Sequence, residues 1–309
     1  MKKFIQIHKN ITYCKANRFV AAVGVFDGVH LGHQQIIRRA AARAQESNAK
    51  VLALSFAPHP RQLICPDNAP PLLLTVNERL ERLLACGADL AGLIDFTKEV
   101  AALSPEDFLR KIQTQFNICG ICVGSNWRFG RKGSGDRAFL EKFCRENHWS
   151  LDAVPEVELD GVIISSSEIR QAAARGDLEY AAKMLGRGYK LTGIVEHGFH
   201  IATEKLAAPT ANLRVTAGVM VPDGVYSGTV ELDGKSFPAA LNIGVAPTFG
   251  NDLHRVEIHL IGFNGTLYGR ELEVTLHRFL RAERRFASPD ELKAQIACDI
   301  KNIMQDQRL

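Results

Sequence analysis

The chain has 309 residues, with 38 lysines and arginines against 34 aspartates and glutamates and a formal net charge of +4. That length is generous for one hydrophobic core and reads as two domains, while so slight a charge suits polyanionic small ligands and makes no case for nucleic acid. No stretch is apolar enough to cross a bilayer, and Met1–His8 lacks the apolar core of a signal peptide. The seven cysteines, odd in number and scattered, point to reduced thiols and a cytoplasmic location.

The most informative segment comes early. The apolar run Val20–Gly24 predicts a strand, and Val25-Phe26-Asp27-Gly28-Val29-His30-Leu31-Gly32-His33 follows it as a glycine-punctuated turn into a helix over Gln34–Ser47. Such a turn directs backbone N–H groups and the positive end of a helix at one point, which suits a phosphate. His30 and His33 stand three residues apart, so their imidazoles share one face of the first helical turn and can stabilise charge on a reacting phosphoryl group. An ordinary loop with two surface histidines is the competing reading, and Gly24, Gly28 and Gly32 argue against it.

Further strands are predicted at Val51–Phe56, Leu90–Phe96, Ile118–Gly124 and Leu151–Val154. Between them lie a capping box at Thr75–Glu78 and the helix start Ser104-Pro105-Glu106-Asp107. This alternation implies βαβ units in a Rossmann-like parallel sheet, with ligand beyond the carboxyl ends of its strands. Three further segments fall at that end. Pro58-His59-Pro60 is a rigid turn carrying an imidazole. Ser125–Asp136, with Asn126 and Arg128, reads either as a flexible surface loop or as a lid over a planar phosphorylated ligand. Ser165-Ser166-Ser167-Glu168-Ile169-Arg170 opens a helix whose serines and Arg170 suit phosphate oxygens. Cys119-Gly120-Ile121-Cys122 forms a CxxC, but it sits inside an apolar run and reads as core.

After Gly186 short β-type runs succeed one another at Lys190–Val195, Gly224–Leu232, Phe237–Ile243, Arg255–Leu260 and Leu272–Phe279. Asp233-Gly234 and Asn264-Gly265 read as hairpin turns, and Ser288-Pro289 opens a closing helix with Leu292, Ile296 and Ile300 on one face. A small antiparallel barrel with a C-terminal helix is expected, so that the domains span 1–185 and 186–309. Gly234-Lys235-Ser236 lacks the upstream glycine of a phosphate-binding loop and sits on a hairpin.

The His30-Leu31-Gly32-His33 run with the downstream Ser-Arg helix start resembles the nucleotidyltransferase superfamily. Over the whole chain, Gly24–His33, Pro58-His59-Pro60, Arg128-Phe129-Gly130, Ile164–Arg170, Pro209-Thr210-Ala211-Asn212 and the stretch from Asn242 onward are similar to the bacterial bifunctional riboflavin kinase/FMN adenylyltransferase family, the FAD synthetases. The resemblance implies ATP, riboflavin, FMN and FAD as substrates and products, with Mg²⁺ required. It also implies that the partners are these small molecules, with neither nucleic acid nor membrane; the sequence is silent on oligomeric state. In the first half it gives His30 and His33 to the α-phosphoryl centre of ATP as catalytic residues, and Gly24, Phe26, Asp27 and Gly28 to nucleotide binding. Ser166, Ser167 and Arg170 go to the departing β,γ-phosphates, and His59, Asn126 and Arg128 to FMN, Asn126 standing where many relatives carry Asp. In the second half Thr210 and Asn212 go to Mg²⁺ and ATP, and Glu257 becomes the base on the ribityl hydroxyl. The spacing of Glu257 between Val256 and Ile258 fits an outward-facing strand glutamate equally well.

One departure stands out. Ala202–Ala208 replaces the glycine-rich loop usual before Pro-Thr-Ala-Asn and brings Glu204 toward the phosphates, which would weaken the kinase. The rival readings are a flavin sensor without turnover and an aminoacyl-tRNA synthetase relative. The second lacks the lysines that would complete the loop begun at Lys183.

Overall fold

The computed structural model describes residues 4–7, 17–196, 211–218, 221–245, 254–284 and 286–306. It divides into two compact units, one of residues 1–70 with 76–165 and the other of 71–75 with 166–309.

The first unit is built on six strands: β1 (Phe4–Ile7), β2 (Arg18–Val23), β3 (Lys50–Ala57), β4 (Leu90–Asp95), β5 (Asn117–Gly124) and β6 (Ser150–Val154). All pair in parallel, in the order β1-β4-β3-β2-β5-β6. Five of them lie where the apolar runs predict; β1, only four residues long, carries too little pattern to be read from sequence. Phe19–Val23 of β2 are at most 2% exposed, as a central strand covered on both faces requires. Winding from β2 proceeds through β3 to β4, then crosses back to β5 on the other side of β2. The strand order therefore reverses between β2 and β5, where a doubly wound sheet opens a crevice at its carboxyl ends.

Helices connect the strands: α1 (Leu31–Glu46), α2 (Pro60–Ile64), α3 (Val76–Ala85), α4 (Lys98–Ala101), α5 (Pro105–Gln115) and α6 (Arg137–Glu146). Ser104 caps α5 by accepting from Asp107 N at 3.0 Å, as the sequence predicts. Asp152 of β6 receives Arg39 Nη2 at 2.6 Å and Arg43 Nε at 2.8 Å, which ties α1 to the far edge of the sheet. Cys122 is buried in β5, where burial first and the Asp152 charge second push its thiol up to about 12. Of the CxxC, Cys122 is thus core as expected, while Cys119 is half-buried and its Sγ donates to Phe19 O at 3.4 Å. A short hairpin, β7 (Glu158–Leu159) with β8 (Val162–Ile163), completes the unit.

The second unit holds α7 (Ser166–Ala174), α8 (Leu178–Leu185) and a closed barrel. Its strands are β9 (Tyr189–Glu196), β10 (Ala211–Ala217), β11 (Gly224–Leu232), β12 (Lys235–Val245), β13 (His254–Leu260) and β14 (Glu271–Arg281), in the closed order β10-β13-β12-β11-β14-β9 with every pairing antiparallel. Leu191, Val230, Leu241, Ile243, Val256, Ile258 and Val274 fill the interior, each at most 1% exposed. β10 begins at Ala211, inside a segment read from sequence only as a ligand motif. Asp233 and Gly234 take φ of 53° and 76° and join paired Leu232 and Lys235, the tight hairpin that the sequence predicts. Asn264-Gly265 is not a second one: it lies within the longer loop 261–270, where Gly262 and Gly269 adopt the positive φ.

The C-terminal helix, α9 (Pro289–Asp306), starts at Ser288, whose Oγ accepts from Glu291 N at 3.2 Å. Its inner face carries Ile303, 1% exposed, and also Asp299, 5% exposed, which accepts from Arg281 Nη2 of β14 at 2.9 Å. Replacing Asp299 with Ala strands a largely buried guanidinium. D299A should cost about 2–3 kcal/mol, below the figure for a fully buried pair because Arg281 keeps some solvent. Hydrogen exchange at β14 and α9 amides checks this: those amides lose protection while β2 and β3 amides do not.

Candidate active site

The turn after β2 is assembled from backbone constraints. Gly24 N donates to Leu54 O at 3.1 Å, and Val29 N closes the turn onto Phe26 O at 3.1 Å. Phe26, Gly28 and Val29 have φ of 54°, 84° and 40°. Glycine adopts such values freely, but Phe26 and β-branched Val29 each store about 1–3 kcal/mol of strain there. Phe26 and Asp27 turn their side chains inward, 0% and 1% exposed. The Phe26 ring packs over Gly24, where a β-carbon would lie 2.9 Å from it, and meets His33 edge-on at 5.2 Å. A ligand at this turn therefore meets the backbone of Phe26 and Asp27.

Helix α1 begins at Leu31, three residues earlier than its sequence suggests, because His30 takes the N-cap position with extended backbone (φ −72°, ψ 173°). The His30 side chain makes no capping hydrogen bond, and no acidic residue lies in the first turn. Helix geometry leaves the amides of Leu31, Gly32 and His33 without intrahelical acceptors, so this end of α1 is suited to an anion. By contrast, Asp136 caps α6 and Asp177 caps α8.

The two imidazoles are stacked, centroids 3.6 Å apart and planes 24° from parallel. Gly32 permits this arrangement, since a β-carbon there would sit 3.2 Å from the His30 ring. Burial holds His33 well below the ordinary value of 6.5, with His30 and then Arg79 adding to the effect. His33 is therefore neutral at pH 7 and offers a single N–H as a donor. His33 Nδ1 is buried without a hydrogen-bond partner among the described residues.

Arg79 was not singled out by sequence reasoning. It lies on α3 at 2% exposure and donates from Nη1 to Val25 O at 3.0 Å and from Nη2 to Phe56 O at 2.9 Å. Ser55 Oγ also donates to Val25 O, at 2.7 Å. The only sequence signal was an arginine on the apolar face that Leu80 and Leu83 bury. Burial lowers the Arg79 pKa while the Asp27 charge opposes that effect.

His59 caps α2. Its Nδ1 accepts from Arg61 N at 3.1 Å, and Gln62 Oε1 accepts from His59 N at 3.0 Å. An accepting Nδ1 puts the proton of the neutral ring on Nε2, so His59 presents a donor. The segment after β5 is neither a free surface loop nor detached from the core. Phe129 and Gly135 exchange backbone hydrogen bonds of 3.2 and 2.8 Å, and Phe129 is 6% exposed. Trp127 stacks on Phe129 with centroids 4.3 Å apart. Asn126 and Arg128 alternate outward, Asn126 Nδ2 donating to Glu156 at 2.6 Å and Arg128 pairing with Asp136 at 3.6 Å.

In the second unit Ser166 and Ser167 open α7, and Arg170 Nε donates to Pro71 O at 2.8 Å. Across the barrel, Asn212 of β10 is the register partner of Glu257 of β13, and Glu257 that of Asn242 of β12. Their neighbours Leu213, Val256, Ile258, Leu241 and Ile243 face the core, so this half-buried row lies on the barrel's outer face. Asn242 Nδ2 donates to Glu283 Oε1 at 2.9 Å; sequence reasoning assigned it no role, and its alignment with Glu257 needs the strand register. Thr210 and Glu204 lie outside the described residues. The amide and carboxylate oxygens of the row fit a hard divalent cation shared with phosphates. Among the described residues no cluster of three or more His, Cys, Asp or Glu side chains could hold a metal by itself.

The depressed His33 pKa has a consequence for stability. Below pH 6.5 the unfolded chain protonates this histidine while the folded one resists, so stability falls with falling pH. Both tryptophans, Trp127 and Trp149, lie in the first unit and report its unfolding. Their fluorescence midpoint in urea should fall between pH 7.5 and 5.5, and H33Q should flatten that slope.

The FAD synthetase family matches residues 14–168, and the riboflavin kinase family matches residues 185–306. A bifunctional riboflavin kinase/FMN adenylyltransferase from Pseudomonas fluorescens is 37% identical over 283 residues, covering 91% of this chain and 90% of the relative. A protein of the same description from Escherichia coli K12 is 34% identical over 301 residues, covering 97% and 96%. Among solved structures, a chain described as a macrolide-efflux protein from Streptococcus pneumoniae superposes with a TM-score of 0.83 at 28% identity, covering 96% of this chain and 97% of that one. Among the described residues no helix is long and apolar enough to cross a membrane. Two family matches in tandem and full-length similarity to bifunctional relatives lead to one conclusion: the chain belongs to the bifunctional riboflavin kinase/FMN adenylyltransferase family.

Proposed function

We propose that the two activities of the family divide between residues 1–185, which convert FMN and ATP to FAD and pyrophosphate, and residues 186–309, which phosphorylate riboflavin to FMN. The observation that carries the first assignment is the stacked His30–His33 pair, His30 buried and His33 half-buried, at the start of α1, beside the strand-order reversal. In this reading an FMN phosphate oxygen attacks the α-phosphorus of ATP, and the bond to pyrophosphate breaks. Charge develops on the α-phosphoryl oxygens, which receive the imidazole N–H groups and the amides at the helix end. The reaction needs neither a covalent nucleophile nor a charged imidazole. Gly24 and Gly28 let the backbone approach the nucleotide, and His59, Asn126 and Arg128 take FMN.

In the barrel, Glu257 accepts the proton of the riboflavin 5′-hydroxyl as that oxygen attacks the γ-phosphorus, and ADP leaves. Asn212 beside it, with Thr210, would hold Mg²⁺ against the ATP phosphates. When bound, that ion offsets phosphate charge. A cytoplasmic setting fits the reduced, scattered cysteines, the six described ones all being free.

The test is separation of flavins by chromatography after incubation with riboflavin and Mg²⁺-ATP. E257Q should lower FMN formation by about 10²–10⁴-fold while added FMN still becomes FAD. H33A should lower FAD formation about 10²–10³-fold and let FMN accumulate. A flavin sensor would bind riboflavin and return it unchanged. Loss of both activities in either folded variant would overturn the division between halves.

A further inference from the structure

We infer that Arg79 is a positioning residue for adenylyl transfer: its guanidinium bridges the Val25 and Phe56 carbonyls and holds the strained turn that aims His30 and His33. The inference rests on the reading of that turn as the nucleotide site.

Parallel strands β2 and β3 stay in ladder register only as far as Val23 and Leu54. Beyond that point the chains separate, one toward the histidine helix and the other toward His59. Arg79 spans the gap, with one arm of its planar fork on each side. Val25 is the residue just before Phe26, the first positive-φ position of the turn, so fixing its carbonyl fixes the entry to the strained segment. Ser55 reinforces the same oxygen from β3. Held this way, Phe26 stays inward and edge-on to His33, and the imidazole pair cannot relax outward by unwinding the turn. A residue used only for packing would not need a charge here, and 2% exposure makes the charge costly to keep.

The charge has a second effect on the site. Among the groups acting on His33, burial and His30 come first and Arg79 follows, while Asp27 of the turn acts on Arg79 itself. Glu78 and Arg82 flank Arg79 on the inner side of α3, and His59 is the titratable group of the turn after β3. Arg39 and Arg43, farther along α1, are matched by Asp152. Arg79 is thus the α3 cation that favours the neutral form of His33.

Two substitutions in the full chain separate shape from charge. R79K keeps the charge, but one ammonium cannot bridge both carbonyls; it should raise the KM for ATP in FAD formation about tenfold or more and leave the His33 titration where it is. R79M removes the charge; the His33 ring titration, followed by NMR, should move to higher pH, and the acid limb of kcat/KM for FAD formation should move with it. Riboflavin phosphorylation by the same samples should stay within twofold of the parent chain, and tryptophan fluorescence reports folding of the first unit. The inference is overturned if R79K keeps its KM for ATP and kcat within twofold, or if folded R79M titrates His33 at the parent pH. If R79M does not fold, R79K alone decides. H33A distinguishes the two levels: full FAD formation in H33A removes the proposed site itself, whereas a crippled H33A beside an unaffected R79K removes only the role of Arg79.

Discussion

Parallel strands that part at their carboxyl ends leave backbone carbonyls without ladder partners, and buried carbonyls must find donors elsewhere. In this chain Val25 O and Phe56 O meet that requirement through a guanidinium from α3 and a serine hydroxyl from β3. What stands above them inherits their placement. The positive-φ turn, the inward Phe26, the N-cap position of His30 and the stacking of His30 on His33 form one continuous chain of contacts. A turn with two non-glycine residues at positive φ persists only where neighbouring groups over-determine it. Here they do so from two elements, α3 and β3.

The barrel positions its polar groups by a different means. Alternation along each strand sends every second residue outward, and antiparallel register then decides which outward residues meet. Asn212, Glu257 and Asn242 come from three strands far apart in sequence and fall in one row because the pairings Asn212↔Glu257 and Glu257↔Asn242 share a partner. Their rigidity comes from the interior that Leu241, Ile243, Val256 and Ile258 fill on the opposite side. The first unit thus holds its histidines beside a strained turn, whereas the row in the barrel rests on the register of β10, β13 and β12.

The electrostatics of the first unit follow from burial. A neutral imidazole beside the positive end of a helix donates to phosphate oxygens without needing a proton from solution. Burial lowers the His33 pKa and pushes the Cys122 thiol up, in each case because it disfavours the charged form.

The amino-acid sequence by itself determined the local grammar: five apolar runs became strands of the parallel sheet, Ser104 and Ser288 became caps, and Asp233-Gly234 became a hairpin turn. These depend on neighbours a few residues away, as does the pairing of His30 with His33. Only the tertiary structure decided what depends on distant partners. It set the reversal of strand order between β2 and β5, the buried bridge of Arg79 and the row holding Glu257. It also showed that Asn264-Gly265 falls within a long loop and that the aromatics of Trp127–Phe129 anchor in the core. An arginine on a helix face or a glutamate between two apolar residues reads alike whether solvated or engaged. What separates the cases is which backbone or strand arrives opposite, and that is a property of chain topology rather than of local composition.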